Sequence, residues 1–176
     1  MLDRYDLKIL EVLQESGDTG PLDMSQRVHL SASQCSRRMQ ALRKAGYIEA
    51  VRAVLNPAAI GVGLQAYVLV TMKSHAPDAA DAFRSRLLGL DEVLECQKLT
   101  GAADMIIKIA TRDLASFNHL LTRELLSAPE VATAQSSIIL EDVKSTSSLT
   151  LRYAAPEPHI NLSGTEQRPK TLPRRP

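Results

Sequence analysis

The chain is poor in aromatic side chains and in cysteine, and each shortage excludes a class of protein. Trp is absent, and Tyr and Phe number only 4 and 2 in 176 residues, so the sequence offers little surface for stacking RNA bases. Two cysteines, Cys35 and Cys96, are too few and too far apart for a disulfide scaffold or a zinc site. Both occupy inward positions of apolar patterns, where we expect buried free thiols.

An overall charge of one sign and a long apolar run are also missing. The formal net charge is +1, so no basic field covers the whole chain. No apolar run is long enough to cross a bilayer and the first residues lack a signal pattern, so we expect a cytoplasmic protein. The 4 histidines are scattered without metal-ligand spacing, and we therefore expect neither a metal nor a cofactor.

The charge that is present is distributed unevenly. Residues 1–55 carry 8 basic and 7 acidic side chains, residues 56–151 carry 8 and 11, and residues 152–176 carry 5 and 2. Within the first segment, four basic residues and no acid lie between positions 37 and 44. Such a row is usually a solvated helix face, so its surroundings decide whether it contacts nucleic acid.

Those surroundings have the pattern of a helix-turn-helix over residues 22–48. A short helical pattern and a turn precede Ser31, whose hydroxyl can cap a second helix over residues 32–45. Gly46 can adopt the left-handed conformation that ends it. Apolar side chains at positions i, i+4 and i+7 of this helix predict an inward face made of Cys35, Met39 and Leu42.

The opposite face of the second helix offers hydroxyl, amide and guanidinium groups that suit base edges in a major groove. We predict that Ser33, Gln34 and Arg37 lie near bases. Arg38 and Arg43 are expected near phosphates, and Arg52 near the DNA backbone. The predicted DNA-binding set is Ser31, Ser33, Gln34, Arg37, Arg38, Arg43 and Arg52.

Two flanking segments complete the predicted first domain, residues 1–55. Asp3 is placed to cap a first helix that ends near Gly17. The strand-forming residues 47–55 predict a small ribbon, or wing, after the second helix of the motif. A single winged helix-turn-helix would bind DNA weakly, so we expect a dimer or a larger assembly.

The pattern changes after a predicted linker at residues 56–65, where Pro57 and two glycines interrupt it. Residues 66–151 alternate as strand, helix, strand, strand, helix, strand, which predicts an α+β, ferredoxin-like βαββαβ domain. The predicted elements are 66–72, 77–89, 93–99, 103–110, a helix capped by Asp113, and 131–140. We expect an uncovered sheet face, carrying Val68, Val70, Met105 and Ile107, through which two chains pair.

The last segment, residues 152–176, is a Pro-rich basic tail with five of the nine prolines. Its composition predicts an extended or disordered chain. A weak, nonspecific DNA contact and an inert extension are both compatible with it.

Motifs in both halves carry a family resemblance. They are Leu2-Asp3-x-x-Asp6-x-x-Ile9-Leu10, Leu30-Ser31-x-x-x-Cys35-x-x-Arg38-x-x-x-Leu42, Gly46-x-Ile48, Leu55-Asn56-Pro57, Glu95-Cys96, Thr100-Gly101-x-x-Asp104, Pro129-x-Val131 and Glu141-x-Val143-Lys144. Over about residues 2–152 the chain resembles the leucine-responsive and asparagine-responsive (Lrp/AsnC) transcription regulators. The resemblance implies a winged helix-turn-helix joined to an amino-acid-sensing domain that forms dimers and often rings of four dimers.

The resemblance also implies an effector site in the crevice between dimers. Carried over to this chain, its lining is Thr100, Gly101, Ala102, Asp104, Ser136 and Ser137. Two departures from the family pattern stand out. His29 replaces a common glycine in the helix-turn-helix turn, and Ala102 and Ala103 replace an acidic and an aromatic residue, which leaves a roomier and less polar crevice.

We therefore predict a sequence-specific, amino-acid-responsive transcription regulator, without enzymatic activity, that acts on promoters of metabolic genes. The alternative is an enzyme like the haem-precursor decarboxylases, which resemble this family. The scattered histidines and the intact basic row argue against an enzyme. RNA binding ranks last, because few aromatic residues are present.

Overall fold

The computed structural model describes residues 2–154, which divide into two compact units. The helical unit comprises the residues up to Arg52 together with those from Thr146 onward, and the sheet unit comprises Ala53–Ser145. Residues 146–151, which the sequence places at the end of the second domain, pack with the helical unit. Most of the predicted tail, from residue 155 onward, lies outside the described residues. Among residues 2–154, no helix has both the length and the apolar character needed to cross a membrane.

Three helices form the helical unit: α1 (Arg4–Glu15), α2 (Pro21–Val28) and α3 (Ala32–Lys44). The predicted cap of α1 is confirmed, because the Asp3 carboxylate accepts hydrogen bonds from the amides of Tyr5 and Asp6 at 2.8 and 2.9 Å. One apolar face of each helix meets the others in a shared core. Its buried members are Ile9, Leu10, Val12, Met24, Val28, Cys35, Met39 and Leu42.

The predicted wing is not formed as a ribbon. Gly46 ends α3 at φ 77°, as expected, but residues 48–56, all within the described chain, form no strand. Strand propensity alone is insufficient here, because an isolated strand needs a hydrogen-bonded partner and the helical unit supplies none for this segment. Val54 consequently remains 95% exposed.

A C-terminal strap, residues 146–154, completes the helical unit. The Gln14 side chain donates to the Leu149 carbonyl at 3.1 Å and accepts from the Leu149 amide at 2.5 Å. Leu151 packs against the core of the three helices, and residues 151–154 form a short 3-10 turn. The strap therefore adds apolar contact, and its backbone forms hydrogen bonds with the Gln14 side chain of α1.

The sheet unit has the predicted βαββαβ order. Its elements are β1 (Leu64–Met72), α4 (Pro77–Leu88), β2 (Val93–Lys98), β3 (Met105–Thr111), α5 (Leu114–Leu120, continued by a π-helical turn, Leu121–Leu126) and β4 (Val131–Ile138). The strands are ordered β2-β3-β1-β4, and each neighbouring pair is antiparallel. Asp113 caps α5 by accepting from the Ser116 amide at 2.8 Å, which holds the pKa of its carboxyl at about 2.

The prediction that Val68, Val70, Met105 and Ile107 form an uncovered face is wrong. All four are buried on the inner face of the sheet, in a core that includes Phe83 of α4 and Phe117 and Leu120 of α5. Alternate residues of β1 and β3 instead form the outer face, and both sets are apolar enough that the sequence does not show which set the helices cover. The outer face carries Tyr67, Leu69, Ile106 and Lys108.

The two cysteines differ in exposure. Cys35 is fully buried in the helical core, as predicted, whereas Cys96 is exposed. Cys96 lies opposite Ile107, but on the edge strand β2, where cover from the helices is incomplete. Desolvation by its surroundings still raises the pKa of the Cys96 thiol.

Candidate nucleic-acid interface and sensing crevice

The first turn of α3 is held by reciprocal hydrogen bonds. Ser31 Oγ accepts from the Gln34 amide at 3.3 Å, and Gln34 Oε1 accepts from the Ser31 amide at 3.0 Å. Ser31 Oγ also lies 3.1 Å from Ser33 Oγ. This capping box occupies the carbonyl oxygen of Gln34, so a two-point contact with adenine would have to break a bond that holds the helix start.

The solvent face of α3 carries basic side chains that are available to a ligand. Ser33, Arg37, Arg43 and Lys44 are exposed, and the inward face is buried. Within residues 2–154, no carboxylate oxygen lies within 4.0 Å of a charged nitrogen of Arg37, Arg43 or Lys44. Arg52 is exposed as well, in the segment after α3.

Arg38, which was predicted to lie near a phosphate, is paired with two carboxylates at the start of α1. Its Nη1 lies 2.8 Å from Asp3 Oδ2 and 2.7 Å from Asp6 Oδ1, and its guanidinium carbon lies 5.6 Å from the centre of the Tyr5 ring. The hydrogen bond to Asp6 raises the pKa of Arg38, while the Asp6 amide and Arg38 lower the pKa of Asp3. Two carboxylates would compete with any phosphate, so Arg38 joins α3 to the start of α1.

The turn before α3 is strained at His29. Its φ of 58° and ψ of 46° place it in the left-handed region, which a side chain with a Cβ atom disfavours. Among the described residues it is the one non-glycine with positive φ. His29, in place of the common glycine, therefore adopts a backbone geometry that favours glycine.

The turn between β2 and β3 presents Asp104 at the end of the sheet. Asp104 Oδ2 accepts from the Met72 amide at 2.7 Å, and Oδ1 lies 3.7 Å from His75 Nδ1. Gly101 has φ 122°, a conformation that glycine adopts without steric cost. One carboxylate oxygen thus holds the end of β1, and the other faces the imidazole.

The remaining predicted effector residues lie elsewhere in the sheet. Ser136 and Ser137 are paired with Val68 and Tyr67, respectively, so they point to opposite faces of β4. Strand β1 separates β4 from β3, a spacing of about 10 Å for two strand steps. Within one protomer, the structure therefore does not bring the serines together with the 100–104 turn.

Sequence reasoning missed two side chains, His75 and Lys98, that line a cavity with Asp104. A cavity of about 170 Å³ between the β1–α4 loop and the β2–β3 turn is lined by Ser74, His75, Lys98 and Asp104, among others. His75 and Lys98 line the same cavity only because the chain folds back on itself. Neither residue lies in a sequence motif that could have indicated this. In the part of the chain that the structure describes, no cluster of three or more His, Cys, Asp or Glu residues could hold a metal ion.

A three-helix unit with an exposed basic helix, followed by a ferredoxin-like unit, defines a class: the two-domain DNA-binding regulators. Residues 2–49 match the family model for winged helix-turn-helix DNA-binding domains, and residues 65–149 match that for the Lrp/AsnC ligand binding domain. The chain belongs to the Lrp/AsnC family and is a DNA-binding transcription regulator.

Curated relatives cover more than four-fifths of the chain. A proline dehydrogenase transcriptional activator of Rhizobium radiobacter is 36% identical over 145 residues, which are 82% of this chain and 93% of the relative. The leucine-responsive regulatory protein of Haemophilus influenzae is 34% identical over 151 residues, 86% of this chain and 91% of that protein.

Solved structures agree with the fold. A transcriptional regulator from Neisseria meningitidis, in complex with L-Met, has a TM-score of 0.84 and 39% identity, and the match covers 88% of this chain and 99% of that one. An AsnC family transcriptional regulator from Agrobacterium tumefaciens has a TM-score of 0.80 and 28% identity, covering 86% and 99%.

Proposed function

We propose that the protein binds specific duplex sequences through α3 and adjusts that binding in response to a free amino acid. The observation that carries the DNA-binding part is the solvent face of α3, where Arg37 and Arg43 are exposed and without a carboxylate partner among residues 2–154. The buried Cys35, Met39 and Leu42 behind that face fix the helix against α1 and α2. A rigid, cationic helix suits insertion into a major groove.

The side chains of α3 divide into two roles in this proposal. Ser33 and Arg37 contact base edges, and Arg43 contacts phosphate, with Arg52 near the backbone. Ser31 and Gln34 hold the helix start through their capping box and reach DNA with their remaining groups. Arg38 positions α3 through its two ion pairs.

The protein acts as a dimer that pairs through the outer face of the sheet. Leu69 and Ile106 are half-buried on that face, beside the exposed Tyr67, and Lys108 Nζ lies 5.9 Å from the Tyr67 ring centre. Covering these apolar groups with a second copy would remove them from water. Two recognition helices then read a pseudo-palindromic site, and larger assemblies form from such dimers.

The sheet unit senses the amino acid. It matches the family model of a ligand binding domain, and the similar regulator from Neisseria meningitidis is in complex with L-Met. The Thr100–Asp104 turn offers backbone amides for a carboxylate and one oxygen of Asp104 for an ammonium group. Relatives named as regulators favour a cytoplasmic protein without enzymatic activity.

The DNA-binding part is tested by the affinity and the sequence preference of binding, measured at several salt concentrations. Duplexes retained by the full-length protein from a random pool are titrated at several salt concentrations by fluorescence anisotropy, with Arg37→Ala as the variant. Each phosphate contact contributes about 0.9 to the slope of log K against log salt, and a base contact contributes specificity. We expect weaker binding by about tenfold, with reduced preference for the selected sequences.

Arg123→Ala is the matched control, because Arg123 is an exposed arginine of the sheet unit. It should leave both affinity and sequence preference unchanged. Equal effects of the two variants, or an Arg37→Ala protein that selects the same duplexes with the same affinity, would refute the assignment of α3 as the reading helix.

A further inference from the structure

The side chains of α3 can be ordered by how directly they point away from the core. Successive residues of an α-helix are rotated by about 100°, so the three buried residues of α3 fix the direction that faces solvent. Side chains within about 50° of that direction form one row along the helix. The members of this outer row, all of them exposed, are Ser33, Arg37, Gln40 and Lys44.

Gln34, which the sequence suggested as a base contact, lies outside the outer row. Its side chain leaves the helix about 75° away from the solvent direction. Gln34 Oε1 also accepts hydrogen bonds from the Ser31 amide at 3.0 Å and from the Ser31 hydroxyl at 3.1 Å. The carbonyl oxygen of this glutamine is therefore already occupied at the start of the helix.

Gln40 has the same side-chain chemistry without that constraint. It is exposed, and among residues 2–154 its amide forms no hydrogen bond with another residue. The next residue, Ala41, is also exposed and is small enough to let the helix approach a base edge closely. A two-point contact with adenine needs a carbonyl oxygen for N6 and an amino group for N7, and Gln40 can offer both at once.

The spacing of Arg37 and Gln40 matches the spacing of base pairs. Three residues correspond to about 4.5 Å along the helix axis, and successive base pairs are about 3.4 Å apart. Two long side chains at this spacing reach adjacent base pairs or base pairs one step further apart. A guanidinium pairs with O6 and N7 of guanine, and α3 contains no acidic side chain that would compete for Arg37.

We infer that the half-site read by α3 contains a guanine and, one or two base pairs away, an adenine that Gln40 recognises through its side-chain amide. This inference rests on the proposed reading of duplex DNA by α3, and it names the bases that are read. Lys44, at the far end of the outer row, contacts a phosphate without sequence preference. Gln40 is thus the specificity residue that takes the place expected for Gln34.

The half-site is determined by selecting duplexes from a random pool with the full-length protein. Fluorescence anisotropy then measures the affinity for each single-base change. Gln40→Ala should bind the selected duplex about tenfold more weakly, losing the preference for the adenine and keeping that for the guanine. Gln40→Glu should prefer cytosine at the same position, because a carboxylate accepts a hydrogen bond from the cytosine amino group.

A modified base tests the contact without altering the protein. The base 7-deaza-adenine lacks the N7 acceptor, so the unmodified protein should bind a duplex that carries it about tenfold more weakly. Gln40→Ala should bind the two duplexes equally well. Gln26→Ala, at an exposed glutamine of α2, is the matched control and should show the full loss of affinity on 7-deaza-adenine. Thermal unfolding checks that both variants fold.

Comparison with Arg37→Ala separates this inference from the proposed function. If Arg37→Ala loses the guanine preference while Gln40→Ala keeps the full loss on 7-deaza-adenine, Gln40 is wrongly assigned and α3 remains the reading helix. If neither variant changes the selected sequence, both the inference and the proposed function are refuted. A selected half-site without an adenine within two base pairs of the guanine would overturn the inference. Loss of every base preference in Gln40→Ala would overturn it too, because that result indicates general damage to α3.

Discussion

Each of the two units is stabilised internally by a different balance of interactions. The sheet unit buries 14 residues in one apolar core, while the helical unit buries 8 and adds polar ties at its surface. Those ties are the ion pairs of Arg38 with Asp3 and Asp6 and the bonds of Gln14 to the C-terminal strap. Truncation of a buried apolar side chain should therefore lower the stability of the sheet unit most. Removal of one of these polar side chains should lower the stability of the helical unit.

The units also differ in how structure and recognition share side chains. On α3 the two tasks fall on separate residues, since Gln34 and Arg38 hold the helix while Arg37 and Arg43 remain available. In the sheet unit we propose that one residue does both, because Asp104 anchors β1 with Oδ2 while Oδ1 faces the cavity at His75. We therefore expect that recognition can be altered without loss of stability on α3 but not at Asp104.

The largest effect is expected from loss of apolar volume in the sheet unit. Ile107 is fully buried opposite Val68 and Cys96, so Ile107→Ala should leave a cavity. We expect the free energy of unfolding to fall by about 3–4 kcal/mol, within the usual range for such truncations. Urea unfolding followed by far-UV circular dichroism measures the loss.

Two controls sharpen this expectation. Ile106→Ala alters the same strand on its half-buried outer face. At protein concentrations low enough to dissociate the proposed dimer, it should reduce the free energy of unfolding by less than about 2 kcal/mol. Ile9→Ala in the helical unit, also at a fully buried position, should fall between the two because a small core collapses more readily. Equal losses at positions 106 and 107 would contradict the assignment of the two sheet faces.

The second largest effect is expected from Arg38→Ala, which separates the structural role of α3 side chains from their role in DNA binding. Arg38→Ala breaks both ion pairs and leaves Asp6, whose side chain is only 16% exposed, without its partner. We expect a loss of about 1–2 kcal/mol in the stability of the helical unit, since these are charge-assisted hydrogen bonds at a partly solvated site. The slope of log K against log salt for DNA binding should not change.

Arg43→Ala is the control for Arg38→Ala, because Arg43 has no carboxylate partner among the described residues. It should lower the salt slope by about one contact and leave the unfolding transition in place. A reversed result, with the slope lowered by Arg38→Ala and stability lowered by Arg43→Ala, would show that Arg38 contacts phosphate and that its ion pairs contribute little.

Local signals in the sequence were sufficient to predict most of the secondary structure. Asp3, Ser31 and Asp113 cap helices as predicted, because a capping side chain satisfies amides only a few residues away. The βαββαβ order is likewise confirmed, since apolar periodicity changes from helical to strand spacing along the chain.

Features that depend on distant partners were predicted less well. The ribbon predicted over residues 47–55 contains no strand, because strand propensity says nothing about the availability of a partner. The buried face of the sheet was wrongly assigned, because Val68 and Leu69 are equally suited to a core. The pairing of Arg38 with Asp6, and the position of His75 beside Asp104, span about thirty residues of sequence. No local pattern encodes such contacts.

The smallest effect is expected from a His→Gly substitution, which can be made at one position in each unit. His29 adopts φ 58°, which costs a residue with a Cβ atom about 1–2 kcal/mol relative to glycine. Glycine loses more backbone entropy on folding, so His29→Gly should raise the stability of the helical unit by only about 0.5–1 kcal/mol. His119→Gly, at an exposed position inside α5 of the sheet unit, should instead lower stability by about 1 kcal/mol. Thermal unfolding monitored by circular dichroism measures both shifts. A lower melting temperature for His29→Gly would show that the imidazole makes contacts worth more than the backbone strain it imposes.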